Sequence, residues 1–346
     1  MKGVSTIDLE HILDHTIPLW RELRGQNVFI TGGTGFFGCW LLESFIWVNE
    51  FLGLNANATI LTRNPKLFIK KSPHLAKNHA VHLIQGDVRD FKFPKGEFPF
   101  VIHAATDASA KLNRDNPLLM FDTIVEGTKH TLEFARTHGT KKFLFTSSGA
   151  VYGKLTPEMV YIPEEYSVAP NTMNCETAYG SGKRAAETLC GLYPMETKIA
   201  RCFAQVGTYL PLNTHYAIGN FIRDTTLACS IEINGDGTPI RSYMYAADLA
   251  IWLWTILFKG QSSRPYNVGS DKGVSILELA NIVRQEVNPN VEINVAHKPD
   301  SRLRQRYVPS IERARTELGL DIWIPLEEAI RRTVKQNVFG GNNEGS

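Results

Sequence analysis

The 346-residue sequence has little net charge, few cysteines and no long apolar run. A formal charge of +2 gives no electrostatic reason to expect nucleic acid or an anionic membrane as a partner. No apolar stretch reaches the roughly 20 residues that a membrane-spanning helix needs. The five cysteines are odd in number and contain no CxxC pair, which disfavours a disulfide framework or a zinc site. We therefore expect no bound metal ion and a reducing, cytoplasmic location.

Apolar, β-prone runs alternate with helical runs through the first half of the chain. The predicted strands are residues 27–31, 58–62, 81–85, 100–103 and 142–147, and the predicted helices include 37–51, 122–137 and 178–192. Strands and helices that alternate at these spacings are typical of a parallel sheet covered by helices on both faces. The sequence therefore predicts a doubly wound α/β fold.

A glycine-rich turn joins the first predicted strand to the first long helix. Gly32, Gly35 and Gly38 frame it, and Phe36 and Phe37 open the helix. The N–H groups and the dipole at a helix N-terminus favour a pyrophosphate. Gly32 permits the turn, Gly35 lets a phosphate approach, and Gly38 lets strand and helix pack closely. The turn therefore predicts a dinucleotide site.

The second half of the sequence is less regular. Glycine, proline and aromatic residues interrupt the pattern at 151–170 and 207–245, and long irregular stretches in a compact domain are usually functional loops. We therefore predict four segments: a helical N-terminal extension without the features of a signal peptide (1–25), most of a dinucleotide-binding domain (26–200), a substrate lobe interleaved with the last sheet strands (201–338), and a disordered tail (339–346).

Tyr179 and Lys183 lie four residues apart in a predicted helix, so their side chains share one face. A nearby ammonium group favours phenolate and lowers the pKa of the tyrosine. Such a tyrosine can take the proton of a sugar hydroxyl while hydride leaves the same carbon, and the lysine can also hold the nicotinamide ribose. Ser148 ends an apolar strand, at the edge where such sheets bind ligands. The alternatives are an exposed Tyr/Lys pair and a serine that caps a turn.

The chain resembles the extended short-chain dehydrogenase/reductase family, which comprises nucleotide-sugar epimerases and dehydratases. The resemblance covers about residues 27–334 and rests on TGGTGFFG (31–38), GDVRD (86–90), VIHAA (101–105), TSSGAVYG (146–153), IPEE (162–165), YGSGK (179–183) and NGDGTPIRSYMYAADLA (234–250). It implies a Rossmann domain that binds NAD or NADP, with a smaller C-terminal lobe for a nucleotide diphosphate sugar. It also implies a homodimer formed through the helices at 122–137 and 179–192.

The resemblance assigns roles to individual residues. Tyr179 is the expected catalytic base, Lys183 its partner, and Ser148 the hydroxyl that positions the sugar. On the cofactor side, the resemblance places Asp87 and Val88 against the adenine. It places Ala104 and Ala105 along the pyrophosphate.

On the substrate side, Arg241 matches a family arginine that contacts the diphosphate, and a guanidinium group can clamp phosphate through two hydrogen bonds. A surface salt bridge is the alternative. A second arginine is expected among Arg302, Arg304 and Arg306, of which we choose Arg304. Asn220 opens a helix-like run that either reaches the diphosphate or caps a helix.

Gly149 and Ala150 follow Ser148, where dehydratases of the family carry Asp-Glu and decarboxylases carry a glutamate second. Neither side chain here can move a proton. A 4-epimerase needs only reversible hydride transfer at C4 of the sugar, so it is the leading prediction. The alternatives are an NADPH-dependent 4-keto-6-deoxysugar reductase, a dehydratase or decarboxylase with a relocated acid, and a non-catalytic dinucleotide sensor.

The end of the second strand bears on the cofactor. NAD-binding members place an acidic residue at the position of Thr62, which bonds the ribose hydroxyls. Arg63, the next residue, can instead pair with a 2′-phosphate. The sequence therefore suggests NADP, with an exposed loop charge at Arg63 as the alternative.

Overall fold

The computed structural model describes residues 3–106, 110–156, 158–214, 216–300 and 305–338. Its strands are β1 (Asn27–Thr31), β2 (Asn57–Thr62), β3 (Val81–Gln85), β4 (Phe100–His103), β5 (Lys142–Ser148), β6 (Glu196–Cys202), β7 (Gln205–Val206), β8 (Ile231–Ile233), β9 (Ile240–Ser242), β10 (Met244–Tyr245), β11 (Pro265–Val268), β12 (Gly273–Ser275), β13 (Ile293–Val295) and β14 (Arg306–Tyr307). Its α-helices are α1 (Thr6–Thr16), α2 (Phe36–Leu52), α3 (Pro65–Lys71), α4 (Pro73–Ala76), α5 (Ala110–Asp115), α6 (Pro117–Thr137), α7 (Ala178–Gly191), α8 (Ala217–Thr226), α9 (Ala246–Lys259), α10 (Ile276–Val287), α11 (Glu312–Leu318) and α12 (Leu326–Val338). Short 3-10 helices span Ile17–Leu23, Gly149–Val151 and Cys175–Thr177.

A seven-stranded parallel sheet lies at the centre of the fold, in the order β11-β6-β5-β4-β1-β2-β3. Every neighbouring pair in it runs parallel. The order reverses between β1 and β4, which is where doubly wound folds bind ligands beyond the strand ends. The predicted Rossmann-type α/β class is confirmed.

One face of the sheet is covered by α2 and α9, with α1 packed against α9. The rings of Trp20 and Trp254 lie 4.7 Å apart between their centroids. The indole N–H of Trp254 donates to the Ser44 hydroxyl on α2 at 2.9 Å. Because these large side chains are buried, the N-terminal segment forms part of the core.

The opposite face is covered by α6 and α7, which pack against each other. Phe29 on β1 contacts Phe134 on α6, with ring centroids 4.3 Å apart. The helix α6 starts at Pro117, five residues before its predicted start. It does so because the Asn116 side chain caps it by accepting the N–H of Leu119 at 3.1 Å, and proline suits a first helical turn.

The segment predicted as irregular at 207–245 contains α8, β8 and β9. The helix forms because Ile218, Phe221, Ile222 and Thr225 recur at helical spacing and bury one face. Asn220 lies inside α8, whose N-cap is Tyr216, so the helix-capping alternative for Asn220 is wrong. The tail predicted to be disordered, residues 339–346, lies outside the described residues.

Three chemical features of the described residues complete the fold. None of their helices is both long and apolar enough to cross a lipid bilayer. They contain no group of three or more His, Cys, Asp or Glu side chains arranged to hold a metal ion. All five cysteines are free thiols, and three of them are buried.

Candidate active site

The glycine-rich turn lies where β1 passes into α2. Gly32 has a φ of +71°, and a Cβ there would lie 2.5 Å from the carbonyl oxygen of Ala104. A Cβ on Gly38 would lie 2.3 Å from the Cα of Gly33. At Gly35, by contrast, the nearest atom to an added Cβ is 3.4 Å away. Gly32 and Gly38 therefore allow close contact with the neighbouring backbone, whereas the space beside Gly35 is open.

The helix start at this turn suits an anion. Gly35 is the N-cap of α2 and supplies no side-chain cap, so the first N–H groups after it, beginning with Phe36 and Phe37, have no side-chain acceptor there. Such N–H groups and the helix dipole favour a phosphate. The turn therefore fits the pyrophosphate of a dinucleotide, as the sequence predicts.

A buried hydrogen-bond chain supports the turn from below. His103 on β4 contacts the Thr31 hydroxyl at 2.7 Å and the Thr128 hydroxyl at 3.0 Å. Thr31 also accepts the N–H of Ala105 at 3.2 Å, which fixes the chain along the turn. Burial, followed by the charge of Lys183, lowers the pKa of His103 to about 3, so its ring is neutral. The VIHAA motif contains this histidine, but the sequence alone did not single it out.

We expect Gly35→Ala to separate ligand binding from folding. The added methyl group meets only one atom, at 3.4 Å, so the thermal unfolding midpoint should stay within a few degrees of wild type. The methyl group lies where a phosphate would approach, so dinucleotide affinity should fall about tenfold or more. Calorimetric titration with NAD⁺ and NADP⁺ measures this. Wild-type affinity in the variant would place the dinucleotide elsewhere.

The residues expected around the adenine lie beyond β2 and β3. The Asp87 carboxylate pairs with the guanidinium group of Arg89 at 2.8 Å, and this hydrogen bond lowers the pKa of Asp87. Val88 is buried beside Gly127, since a Cβ on that glycine would lie 2.7 Å from a Val88 methyl group. Thr62 is buried, while Arg63 is exposed and forms no ion pair with a carboxylate of the described residues.

Three predicted catalytic residues meet at the carboxyl end of β5. Ser148 is the last residue of that strand, and its hydroxyl accepts the N–H of Ala150 at 3.1 Å, so the turn-capping alternative holds for this serine. The same hydroxyl lies close enough to the Tyr179 phenol on α7 to favour its ionised form. Lys183, one turn further along α7, is 2% exposed. Its Nζ donates to the carbonyl of Thr146 and to the hydroxyl of Thr106, both at 2.7 Å. The alternative of an exposed Tyr/Lys pair is therefore wrong.

The expected lowering of the tyrosine pKa is not found in this arrangement. Loss of surrounding water raises the pKa of Tyr179 to about 12, although the nearby Ser148 hydroxyl opposes the rise. Burial also lowers the pKa of Lys183 to about 8. The Lys183 Nζ lies 6.0 Å from the Tyr179 ring centroid and donates hydrogen bonds to two oxygen atoms, so its charge does not lower the pKa of Tyr179. Desolvation therefore outweighs the pairing that the sequence predicted.

Tyr307, on β14, is a site residue that the sequence did not reveal. Its hydroxyl lies near that of Ser148, and burial raises its pKa above the ordinary range. Its ring lies 4.7 Å from that of Phe203 between centroids. A Cβ on Gly149 would lie 2.2 Å from the Tyr307 hydroxyl oxygen, so the tyrosine fills the space beside this glycine. Tyr307 belongs to none of the sequence motifs, and only the folding of the second half of the chain places it beside Ser148.

The predicted substrate-side arginine lies next to Tyr307. The Arg241 guanidinium carbon is 5.8 Å from the Tyr307 ring centroid, and Nη1 donates to the carbonyl of Ile240 at 2.9 Å. No carboxylate of the described residues pairs with Arg241, so the surface salt bridge alternative is wrong there. Burial lowers its pKa, which marks a cation short of both water and counter-charge.

The other predicted substrate residues are less closely tied to this group. The side-chain oxygen of Asn220 accepts from Arg223 Nη1 at 3.3 Å. The competing Arg306 donates to the carbonyl of Val160 at 2.7 Å and so is engaged by the protein. The chosen residue, Arg304, and its neighbour Arg302 lie outside the described residues.

The fold and the site together define a Rossmann-type enzyme of the extended short-chain dehydrogenase/reductase class. The family model described as the NAD dependent epimerase/dehydratase family matches residues 28–269. The chain belongs to this family, because the match covers well over half of its length.

Curated relatives match almost the whole chain. UDP-glucuronic acid decarboxylase 2 of Arabidopsis thaliana is 28% identical over 345 residues, which cover 95% of this chain and 73% of that protein. UDP-glucuronic acid decarboxylase 1 of Xenopus tropicalis is 29% identical over 318 residues, which cover 90% of this chain and 72% of that protein. The chain is therefore similar to enzymes of sugar-nucleotide chemistry.

A solved structure shows the same architecture. The UDP-N-acetylglucosamine 4-epimerase of Methanobrevibacter ruminantium M1 has a TM-score of 0.77 at 22% identity, over 91% of this chain and 99% of that one. At this identity the likeness establishes the fold, and it extends over 91% of the chain.

Proposed function

We propose that the protein is a 4-epimerase of a nucleotide diphosphate sugar. The family match, the fit of the glycine turn to a dinucleotide and the Ser148–Tyr179–Lys183 group support redox chemistry at a sugar hydroxyl. The half-buried Arg241 without a described carboxylate partner supports a diphosphate in the substrate.

The protein's residues divide the work around the C4 hydroxyl. A bound nicotinamide supplies the acceptor and donor of hydride at C4. Tyr179 takes the hydroxyl proton as the carbon is oxidised and returns it when the carbon is reduced. Ser148, whose hydroxyl lies close to the Tyr179 phenol, holds the same oxygen. Lys183 lies one helical turn away, and its ammonium group would hold the ribose of the nicotinamide with the donor left over from its bonds to Thr106 and Thr146.

The absence of an acid after Ser148 is the observation that carries epimerisation. Gly149 is closely packed, since a side chain there would meet both Tyr307 and Phe203. Ala150 follows it and carries no proton-transferring group. Loss of water from the sugar needs a base at C5 and an acid at the C6 hydroxyl, whereas inversion at C4 needs neither. The site therefore favours returning hydride to C4 over elimination.

Decarboxylation of a nucleotide uronic acid is the second candidate. The relatives that cover 88–95% of this chain are named UDP-glucuronic acid decarboxylases. Once C4 is oxidised, the C6 carboxylate is β to a ketone, which can accept the electron pair as carbon dioxide leaves. This route makes a smaller demand on a carboxylate at residue 150 than elimination does.

A panel of sugar nucleotides distinguishes the two candidates. The protein is incubated with UDP- and dTDP-linked hexoses, N-acetylhexosamines and hexuronic acids, with and without NADPH, and products are identified by proton NMR. We expect inversion at C4 of a hexose or hexosamine, with all protons of C5 and C6 retained. Loss of carbon dioxide from a hexuronic acid would favour the second candidate, and loss of the C6 oxygen would contradict both.

We expect Arg241→Ala to weaken substrate binding more than turnover. Removing a guanidinium group from a phosphate removes charge-assisted hydrogen bonds that are present in ground and transition states alike. The KM for the sugar nucleotide should rise about 30-fold, with kcat within about threefold of wild type. Steady-state kinetics measure both. A fall in kcat at unchanged KM would instead place Arg241 at the reacting carbon.

For the cofactor, we propose NADP over NAD. The support is the lack of an acid at Thr62 and the exposed charge of Arg63 beside it, which forms no ion pair with a described carboxylate. We expect Arg63→Ser to weaken NADP⁺ binding about tenfold and to leave NAD⁺ binding unchanged, because only the 2′-phosphate meets the guanidinium group. Calorimetric titration with each dinucleotide measures this. Equal losses for both, or tighter NAD⁺ binding by the wild type, would contradict the preference.

We also propose that the protein forms a homodimer through α6 and α7. Leu118 and Leu192, at the ends of these helices, are 69% and 74% exposed. A shallow, mostly apolar cavity of about 320 Å³ lies against the outer face of α7, lined by Ala169, Pro170, Thr172, Ser181, Arg184, Ala185 and Thr188. Light scattering on the purified protein measures the mass, and a monomer of 38.8 kDa at micromolar concentration would contradict the proposal.

A further inference from the structure

A buried carboxylate lies on the catalytic helix and has no part in the steps described above. Glu187 follows Lys183 by four residues and Tyr179 by eight, so the three side chains share one face of α7. The Glu187 side chain is 9% exposed, and that of its partner, Arg201, is 12% exposed. Because burying two charges is costly, such a pair calls for a role beyond stability.

The Glu187 carboxylate joins α7 to two neighbouring strands. Arg201 on β6 donates from Nη2 to Oε2 at 2.7 Å and from Nε to Oε1 at 3.0 Å. Ser147 on β5 donates its hydroxyl to Oε1 at 2.5 Å. Ser147 and Arg201 are register partners in the sheet. Charge-assisted hydrogen bonds from two strands therefore fix the position of α7 along the strand direction.

Each of the last three residues of β5 lies against one side chain of α7. The carbonyl of Thr146 accepts from Lys183, the hydroxyl of Ser147 donates to Glu187, and the hydroxyl of Ser148 lies close to the Tyr179 phenol. The middle contact lies between the two catalytic ones. A shift of the helix that breaks it also changes the spacing of Tyr179 and Ser148.

Arg201 is itself held firmly on its far side. Its Nη1 donates to the Tyr152 hydroxyl at 2.9 Å and to the carbonyl of Glu164 at 3.0 Å. Tyr152 in turn donates to the side chain of Asn267 at 2.7 Å. The anchor for Glu187 is therefore a fixed cation rather than a mobile surface arginine.

Glu187 is also the charged neighbour that favours protonated Lys183. The titratable groups around Lys183 on the packed elements are Glu187 and Cys190 on α7, Cys202 on β6 and His103 on β4. Burial raises the pKa of both thiols, that of Cys202 to about 12, and keeps His103 uncharged. Among these described groups, Glu187 alone supplies a negative charge near neutral pH.

We propose that Glu187 is a positioning residue. Its contacts with Ser147 and Arg201 set Tyr179 against Ser148, and its negative charge keeps Lys183 protonated. It does not touch the substrate. The inference rests on the proposed function, because it assigns Glu187 to the same Ser148–Tyr179–Lys183 group.

Glu187→Gln tests this, since it keeps the shape of the side chain and removes its charge. We expect kcat to fall about 10- to 100-fold with KM changed less than about threefold, and the alkaline limb of the pH profile to move about one unit lower. Glu187→Asp should restore the limb and recover only part of the rate. The matched control is Glu317→Gln, which breaks an Arg–carboxylate pair of similar geometry with Arg264, and it should change neither quantity.

A measurement without substrate keeps this test independent of the proposed function. In protein stripped of nucleotide, resistance to urea unfolding rises with pH once Lys183 loses its proton in the folded state. We expect Glu187→Gln to start this rise about one pH unit earlier. The positioning role would be overturned if stability in Glu187→Gln began to rise at the same pH as in the wild type. It would also be overturned if the variant lost activity while the alkaline limb of its pH–rate profile stayed in place. If wild type turns over no sugar nucleotide, the proposed function fails, and the onset of unfolding still decides the role of Glu187.

Discussion

Tyr179→Phe should lower kcat about a thousandfold while leaving the fold and the binding of both ligands intact. Phenylalanine fills the same space, so the variant loses only the hydroxyl, which lies beside Ser148. That hydroxyl is the group placed to move the C4 proton. Without it, water or Ser148 must do so, and general base catalysis by a positioned side chain is typically worth about 10²–10⁴-fold.

The matched control is Tyr193→Phe, just beyond the end of α7, whose partly buried ring packs against the same apolar cluster under α6 and α7 as Tyr179 does. It should keep wild-type activity. Product formation is followed by NMR, and dinucleotide binding by calorimetry. If Tyr179→Phe keeps more than about a tenth of the wild-type rate, the phenol is not the base.

Lys183→Met should abolish most activity and yet stabilise the protein at neutral pH. Burial lowers the pKa of Lys183 from 10.5 to about 8, which shows that the folded structure holds its charge at a cost. Methionine fills a similar volume without a charge. The variant loses the ammonium group that would hold the nicotinamide ribose in place, and we expect kcat to fall about a hundredfold or more.

The pH dependence of stability identifies the cause. Below about pH 8 the lysine is protonated in both folded and unfolded chains, and the cost of burial is fully present. Between about 8 and 10.5 only the unfolded chain holds the proton, so wild-type stability rises with pH. The stability advantage of Lys183→Met should therefore shrink by about 2 kcal/mol between pH 7 and about pH 9.5.

Lys198→Met is the matched control, because both lysines are 2% exposed but Lys198 pairs with Glu196 at 2.6 Å. It removes an ion pair and should give no stability gain and no loss of activity. Urea unfolding at several pH values measures the effect. A stability difference between Lys183→Met and wild type that does not change with pH would show that Lys183 is not held charged against its surroundings.

The sheet and its helices followed from local sequence pattern. Strands such as Val81–Gln85 and Phe100–His103 are short apolar runs, each ended by a change of residue type, so their bounds agree with the prediction. The start of α6 was missed because its cap, Asn116, comes before a proline rather than before an apolar face. Only a helix-like run from Asn220 was predicted within α8, because glycines and prolines around the helix obscured its periodic apolar residues and its start at Ala217.

The catalytic group was predictable because its residues lie in motifs that are close together in sequence. Tyr179 and Lys183 share a helix, and Ser148 ends the adjacent strand, so motif spacing was enough to bring them together. Tyr307 comes from β14, far along the chain, and its place beside Ser148 depends on tertiary folding. The rise in the pKa of Tyr179 likewise depends on how much water the folded site excludes.

The most direct test of hydride return to C4 is the reaction of the preferred sugar nucleotide in D₂O. The product is analysed by mass spectrometry and proton NMR. If hydride leaves C4 and returns to it, the product has inverted C4 and carries no carbon-bound deuterium. Deuterium at C5 or C6 would contradict the proposal, because elimination and decarboxylation both take a proton from solvent onto the sugar carbon chain.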